Sequence, residues 1–193
     1  MVEKRRKRGL FIVAEGIDGS GKSTQAEMLF DWLKKKGQKV ILTREPYTKK
    51  LKKQLREGKK YDWLALFSDD RKVHLKKVVM PSLQSGKTII CDRYYYSTLA
   101  YQLPQKEWKN YSSPFRKPDI ALIFDVPVGI AMKRRGKRDT QIKQKRSYFE
   151  KTKILEKVRK NYLKMPLVFK EVKVIDARGS IKEIFRKVKK IVG

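Results

Sequence analysis

An α/β protein built on a doubly wound, mainly parallel five-stranded sheet, flanked by helices and carrying one basic lid segment, is what this sequence predicts. Three observations predict it. Five short apolar runs, each closed by an acidic residue, a proline or a glycine, read as buried strands. Most of the chain between those runs carries apolar residues at three- and four-residue spacing, the period of helices packed on a sheet. The first run also passes through three glycines straight into a helical pattern, the opening of a βαβ unit.

Taken in order, "LFIVAEG" from Leu10 is short, continuous and β-branched, and reads as the first strand. Ser23 to Lys36 follows as a helix with Ala26, Leu29, Phe30 and Leu33 on one face and Gly37 where a C-cap is expected. "KVILTREP" is the second strand and Pro46 ends it. Lys50 to Ser85 is mostly helical in pattern, punctuated by Pro81 and Gly86. "KTIICDRY", "DIALIFDVP" and "KVIDA" are the third, fourth and fifth strands. Ser180 to Ile191 closes the chain as an amphipathic helix with Ile181, Ile184, Phe185, Val188 and Ile191 inward. With no internal repeat and no long linker, residues 1–193 read as one domain.

Composition removes several function classes. Cys91 is the only cysteine, so disulfide scaffolds and cysteine-based zinc sites within one chain are excluded, and a lone Cys ending an apolar run is expected to be a small buried residue. No apolar run approaches the ~20 residues of a membrane-spanning helix, and the one after the basic residues 1–8 is too short for a signal peptide, so a soluble cytoplasmic protein is expected. Fifty Lys and Arg against twenty Asp and Glu give a net charge of +30. Nucleic acid, a polyanionic small substrate or a heat-adapted surface would each account for that. Basic residues are spread over most expected helices rather than along an aromatic-interleaved stripe, which argues against specific nucleic-acid binding. Asparagine occurs only at Asn110 and Asn161, which favours heat adaptation.

The chemistry begins at "GIDGSGKS": Gly16, Gly21, Lys22 and Ser23 occupy the fixed places of GxxxxGK[ST], with a strand before and a helix after. Backbone N–H groups from Asp18 through Gly19, Ser20 and Gly21 to Thr24 would cradle the β-phosphate of a nucleotide, Lys22 would bridge β- and γ-oxygens, and the Ser23 hydroxyl would ligate Mg2+. Asp92, at the end of the third strand, lies where a carboxylate can approach that metal, and Arg93 beside it offers a planar fork for a second phosphate. From Lys133 to Arg146, "KRRGKRDTQIKQKR" is either a solvated helix face or a lid over the ligand-binding edge of the sheet.

"EGIDGSGKST", "TREP", "FSDDR", "DRYYYSTLAYQ" and "FEKTKILEKVRKNYLKM", in that order, resemble the successive motifs of thymidylate kinases over nearly the whole chain. The resemblance implies transfer of the γ-phosphoryl of ATP to dTMP, with Mg2+, in a homodimer; another P-loop nucleoside monophosphate kinase of different base preference is the alternative. It also implies that Phe67 stacks on thymine, that Arg71 hydrogen-bonds a base carbonyl, and that Arg93 holds the dTMP phosphate. Tyr101 would pack under the deoxyribose, Thr98 or Gln102 would meet thymine N3, Asp18 would face the 3′-hydroxyl or a water, and Arg44 would add a phosphate contact. In some members of the family a catalytic arginine follows the loop aspartate, but here Gly19 stands in that place. The cation is then expected from the lid, among Arg134, Arg135, Arg138 and Arg146, with Arg138 the first choice.

Overall fold

The computed structural model describes residues 9–57, 59–136 and 145–193, with side chains in the last segment from Thr152 onward. Its centre is a parallel sheet of β1 (Phe11–Glu15), β2 (Val40–Arg44), β3 (Thr88–Asp92), β4 (Ile120–Asp125) and β5 (Val172–Asp176), in the order β2-β3-β1-β4-β5. All four strand pairings are parallel. Every residue of β1 and β3 is buried, because helices cover both faces of the sheet and leave no polar side for alternation. The edge strands differ: β2 is only partly covered, and β5 exposes Lys173 and Val174. From β1 the chain winds toward the β2 edge, then crosses from β3 to β4 on the other side. That reversal gathers the C-terminal ends of β1 and β3 at one crevice.

Helix α1 (Lys22–Lys35) buries Ala26, Leu29 and Leu33 as its spacing predicts, and Gly37 closes it at φ 75°. Helix α9 (Ile181–Val192) starts from a capping box in which Ser180 and Glu183 satisfy each other's backbone N–H groups. Its inward face is Ile184 and Val188, and Ile181 turns out to be exposed at the cleft described below. The ring of Phe185 meets Trp32 of α1 edge-on at 6.4 Å.

The long helical region resolves into α2 (Lys49–Glu57) and α3 (Trp63–His74), the latter running through a π-turn (Leu75–Val79) into α4 (Met80–Gln84). Pro81 was expected to punctuate this region, yet the helix passes it and ends at Gln84, ahead of Gly86. Proline supplies no N–H and its ring crowds the carbonyl four residues back, so a widened turn just before it lets the helix continue. Helices α5 (Tyr95–Gln102), α6 (Trp108–Ser112), α7 (Val128–Gly136) and α8 (Lys145–Lys164) complete the layers. Tyr95, Tyr96, Trp108 and Phe169 form an aromatic core between them. The expected lid thus begins inside α7 and ends inside α8, and residues 137–144 lie outside those described. Cys91 is buried as expected, and burial pushes its thiol well above the ordinary range. No helix among the described residues is long and apolar enough to cross a membrane.

Candidate active site

The loop between β1 and α1 is shaped by contacts that only glycine allows. A Cβ on Gly16, at φ 140°, would lie 2.6 Å from the Phe124 carbonyl oxygen, so the loop presses against β4. At Gly19, φ 86°, a Cβ would sit 2.2 Å from the Ala131 carbonyl oxygen of α7. That contact gives the physical reason no arginine stands there: any side chain at 19 requires α7 to move. Lys22 is 6% exposed, and its Nζ donates to Asp18 Oδ1 at 3.4 Å. Burial chiefly, with the nearby Arg93 charge, lowers the Lys22 pKa, against the pull of Asp18, Asp92 and Glu15.

Asp18 collects three cations. Arg93 Nη2 donates to its Oδ1, Lys22 shares that oxygen, and Arg135 Nη1 lies 3.8 Å from Oδ2. Partial burial alone would raise the Asp18 pKa; Arg93, Lys22 and Arg135 together hold it below its ordinary value. Arg93 itself is the one non-glycine described residue with positive φ, 74°. Such a backbone costs about 1–3 kcal/mol and persists only where its surroundings enforce it. Here Arg93 N donates to Ala14 O at 2.9 Å, Arg93 Nη1 donates to Ser97 Oγ at 2.9 Å, and Tyr94 N donates to Glu15 Oε1 at 2.7 Å. Glu15 is fully buried and also accepts from Ser97 Oγ and Tyr162 OH; burial raises its pKa despite those donors and Arg93.

At the neighbouring strand end, Ser23 Oγ donates to Asp92 Oδ2 at 2.6 Å and Arg44 Nε donates to the same oxygen at 2.9 Å. Asp92 Oδ1 is buried without a partner. A hydroxyl beside a carboxylate whose second oxygen is buried and unpaired suits Mg2+, which takes one or two protein oxygens and completes its shell with water and phosphate. No cluster of three or more His, Cys, Asp or Glu with metal-holding geometry occurs among the described residues, which is compatible with such a sparse donor set. Arg44 is turned toward Asp92 rather than into the larger cleft.

That cleft, about 590 Å³, opens beyond Arg93. Asp18, Phe67, Arg71, Arg93, Thr98, Tyr101 and Gln102 all line it, so seven residues named from the sequence converge on one space, and Arg44 is the one that does not. Arg71 is 1% exposed: its Nε donates to Glu45 Oε2 at 2.9 Å, Nη1 to Tyr111 OH at 3.0 Å and Nη2 to Thr98 Oγ1 at 3.2 Å. Burial would lower its pKa, and Glu45 with the tyrosines outweighs that. Tyr101 sits at the opposite end, near Arg93 and Asp18, its pKa raised by burial. A second cleft of about 510 Å³ lies across the loop, lined by Gly19, Gly21, Lys22, Ser23 and Thr24 on one side and by Arg134, Arg135 and Gly179–Ile181 on the other. Arg134 Nη1 donates to Ala177 O at 2.9 Å, pinning α7 to the segment before α9. Of the other two arginines considered, Arg138 lies outside the described residues, as does the side chain of Arg146.

Residues 14–188 match the family model for thymidylate kinase. The chain belongs to the thymidylate kinase family. It is 41% identical to a probable thymidylate kinase of Pyrococcus horikoshii over 92% of both chains, and 39% identical to that of Pyrococcus abyssi over 96% of both. A probable thymidylate kinase of Sulfurisphaera tokodaii is 38% identical, covering 94% of this chain and 95% of its own. These organisms are thermophilic archaea, which fits the lysine-rich, asparagine-poor composition.

Within this thymidylate kinase fold, sequence reasoning passed over Glu15, Glu45, Leu55, Trp63 and Tyr162. Leu55 and Trp63 belong to the wall of the larger cleft, and Trp63 stands four residues before Phe67 on the same helix, so their shared face was readable. A glutamate ending an otherwise apolar central strand was also a signal, since a buried carboxylate needs donors from distant chain. Tyr162 carried none: only the packing of α8 on α5 brings its hydroxyl to Glu15.

Proposed function

We infer that this protein is a thymidylate kinase, transferring the γ-phosphoryl of ATP to dTMP to give dTDP and ADP. The observation that supports it is the pair of clefts meeting at Asp18, where Lys22 and Arg135 come from the smaller and Arg93 from the larger. ATP occupies the smaller cleft with its β-phosphate on the loop amides, and dTMP occupies the larger with its base toward Phe67 and Arg71 and its phosphate at Arg93.

No strong general base is required, because a phosphate monoester with a second pKa of about 6 is mainly dianionic at neutral pH. The protein's task is to bring two polyanions into line and neutralise the charge that spreads over the transferring group. Lys22 serves the β- and γ-oxygens, Arg93 fixes the acceptor phosphate, and an arginine from the basic segment reaches the transferred group; Arg135 already stands at the junction. Ser23 and Asp92 would hold Mg2+, which when bound offsets negative charge on the triphosphate. Tyr101 at the phosphate end would crowd a 2′-hydroxyl and so favour deoxyribose.

Incubating the purified protein with ATP, Mg2+ and each of dTMP, dUMP, dCMP, dGMP and thymidine tests this directly. dTDP formation with dTMP preferred is expected; absence of dTDP, or equal use of the other monophosphates, defeats it. We further place the enzyme in the cytoplasm as a homodimer of 22.8 kDa chains, and light scattering at about twice that mass is the expected result.

A further inference from the structure

His74, the only histidine in the sequence, is completely buried at the end of α3 and lines neither of the two clefts. Its two ring nitrogens are both engaged. Nδ1 lies 3.2 Å from Glu45 Oε1, and Nε2 lies 2.9 Å from Thr43 Oγ1. Tyr47 stacks on the ring with centroids 4.8 Å apart and planes 16° from parallel, so the imidazole cannot turn freely. A carboxylate only accepts hydrogen bonds, so Nδ1 must carry a proton; in the neutral ring Nε2 then receives the Thr43 hydroxyl proton.

The other oxygen of Glu45 accepts from Arg71. Glu45 is therefore a bridge, with the imidazole on one oxygen and the guanidinium on the other, and it is 4% exposed. Because Arg71 and His74 are three residues apart on α3, they share the helix face that looks toward this carboxylate. Without the imidazole, one oxygen of Glu45 would be left buried and unpaired, and the carboxylate would be free to rotate and take the guanidinium with it.

We propose that His74 is a positioning residue for nucleobase recognition, acting through Glu45 to fix the plane of the Arg71 guanidinium at the base end of the acceptor cleft. The proposal rests on the thymidylate kinase reading of that cleft. It predicts an effect on acceptor affinity that exceeds any effect on the phosphoryl-transfer step, since the side-chain partners of Arg71 are Glu45, Tyr111 and Thr98 and none of them bonds Asp18.

Two substitutions separate positioning from packing. His74→Asn keeps an amide N–H near the Nδ1 place and so retains a donor for Glu45; His74→Gln reaches instead toward the Nε2 place and Thr43. H74Q is expected to raise KM for dTMP about tenfold with kcat within about twofold of wild type, and H74N to stay within about threefold in KM. Equal KM increases in both, or none in H74Q, overturn the proposal. Should both variants fail to fold, the wild type decides the matter, because its lone imidazole gives one set of 15N signals. An Nδ1-protonated ring whose signals shift with dTMP and not with ADP is expected, and an Nε2-protonated ring, or no shift with dTMP, overturns it. If the wild type forms no dTDP at all, it is the kinase reading that has failed; dTDP formation together with unchanged KM in H74Q removes only the role of His74.

Discussion

The two clefts that meet at Asp18 are built in opposite ways. Around the larger one, charged and polar side chains are buried and interlocked: Arg71, Glu45 and Thr98 are all under 5% exposed, and Arg71 bonds both of the others. The smaller one is floored by the glycine-bearing loop, with the Lys22 ammonium buried beneath it and Arg135 42% exposed at its rim. The difference teaches where selectivity resides. Backbone amides grip any polyphosphate alike, whereas a buried guanidinium with fixed partners rejects a base that leaves it unpaired.

The steepest way to sharpen that contrast is to remove the bridging cation. Alanine at the arginine that reaches the transferred phosphoryl is expected to lower kcat by about 10³- to 10⁵-fold, roughly 4–7 kcal/mol of barrier, with a smaller change in KM for dTMP. Steady-state rates for R134A, R135A, R138A and R146A identify it, and unchanged kcat in all four removes the basic segment from catalysis.

A smaller effect is expected at the acceptor phosphate. Arg93→Ala should cost about 10²- to 10³-fold in kcat/KM, because it removes the guanidinium proposed to hold the acceptor phosphate and leaves Asp18 without its nearest cation. Arg93→Gly should be equally impaired but more stable than the alanine variant by about 1 kcal/mol, or 2–4 °C in melting temperature, since glycine accepts the positive φ without strain. Equal melting temperatures for the two would show that this backbone is unstrained.

The smallest effect concerns the junction itself, read as stability against pH. The Asp18 pKa is below its ordinary 3.8, so the unfolded chain binds more protons in that window and stability rises as pH rises through it. The destabilisation caused by Asp18→Asn should therefore be fully present above pH 3.8 and shrink as pH falls through the lower folded value. A difference that does not change across that range would mean that the three cations are not felt at Asp18.

Much of this was legible in the chain itself. The central strands were readable because both their faces are apolar, the edge strands β2 and β5 only as short apolar runs with clear ends, and the phosphate loop because its motif glycines Gly16 and Gly21 both take positive φ. The convergence of Phe67, Arg71, Arg93, Thr98 and Tyr101 followed from motif resemblance and helical spacing rather than from any property of those residues alone. What stayed hidden depends on contacts between distant segments. Glu45 pairing with Arg71, Tyr162 reaching Glu15, and Arg44 turning to Asp92 are set by how α3, α8 and β2 pack, and local sequence carries no trace of that. Pro81 misled for a related reason: a π-turn upstream absorbed what proline ordinarily does to a helix.

Asp18 also bears on the molecule before any nucleotide arrives. Two guanidinium groups and an ammonium group held this close would repel one another and splay the mouth of both clefts. Asp18 stands among all three, and Asp92 and Glu15 add their pull on Lys22. The resting protein thus carries its own counter-ion where, on the proposed reading, the phosphates would meet.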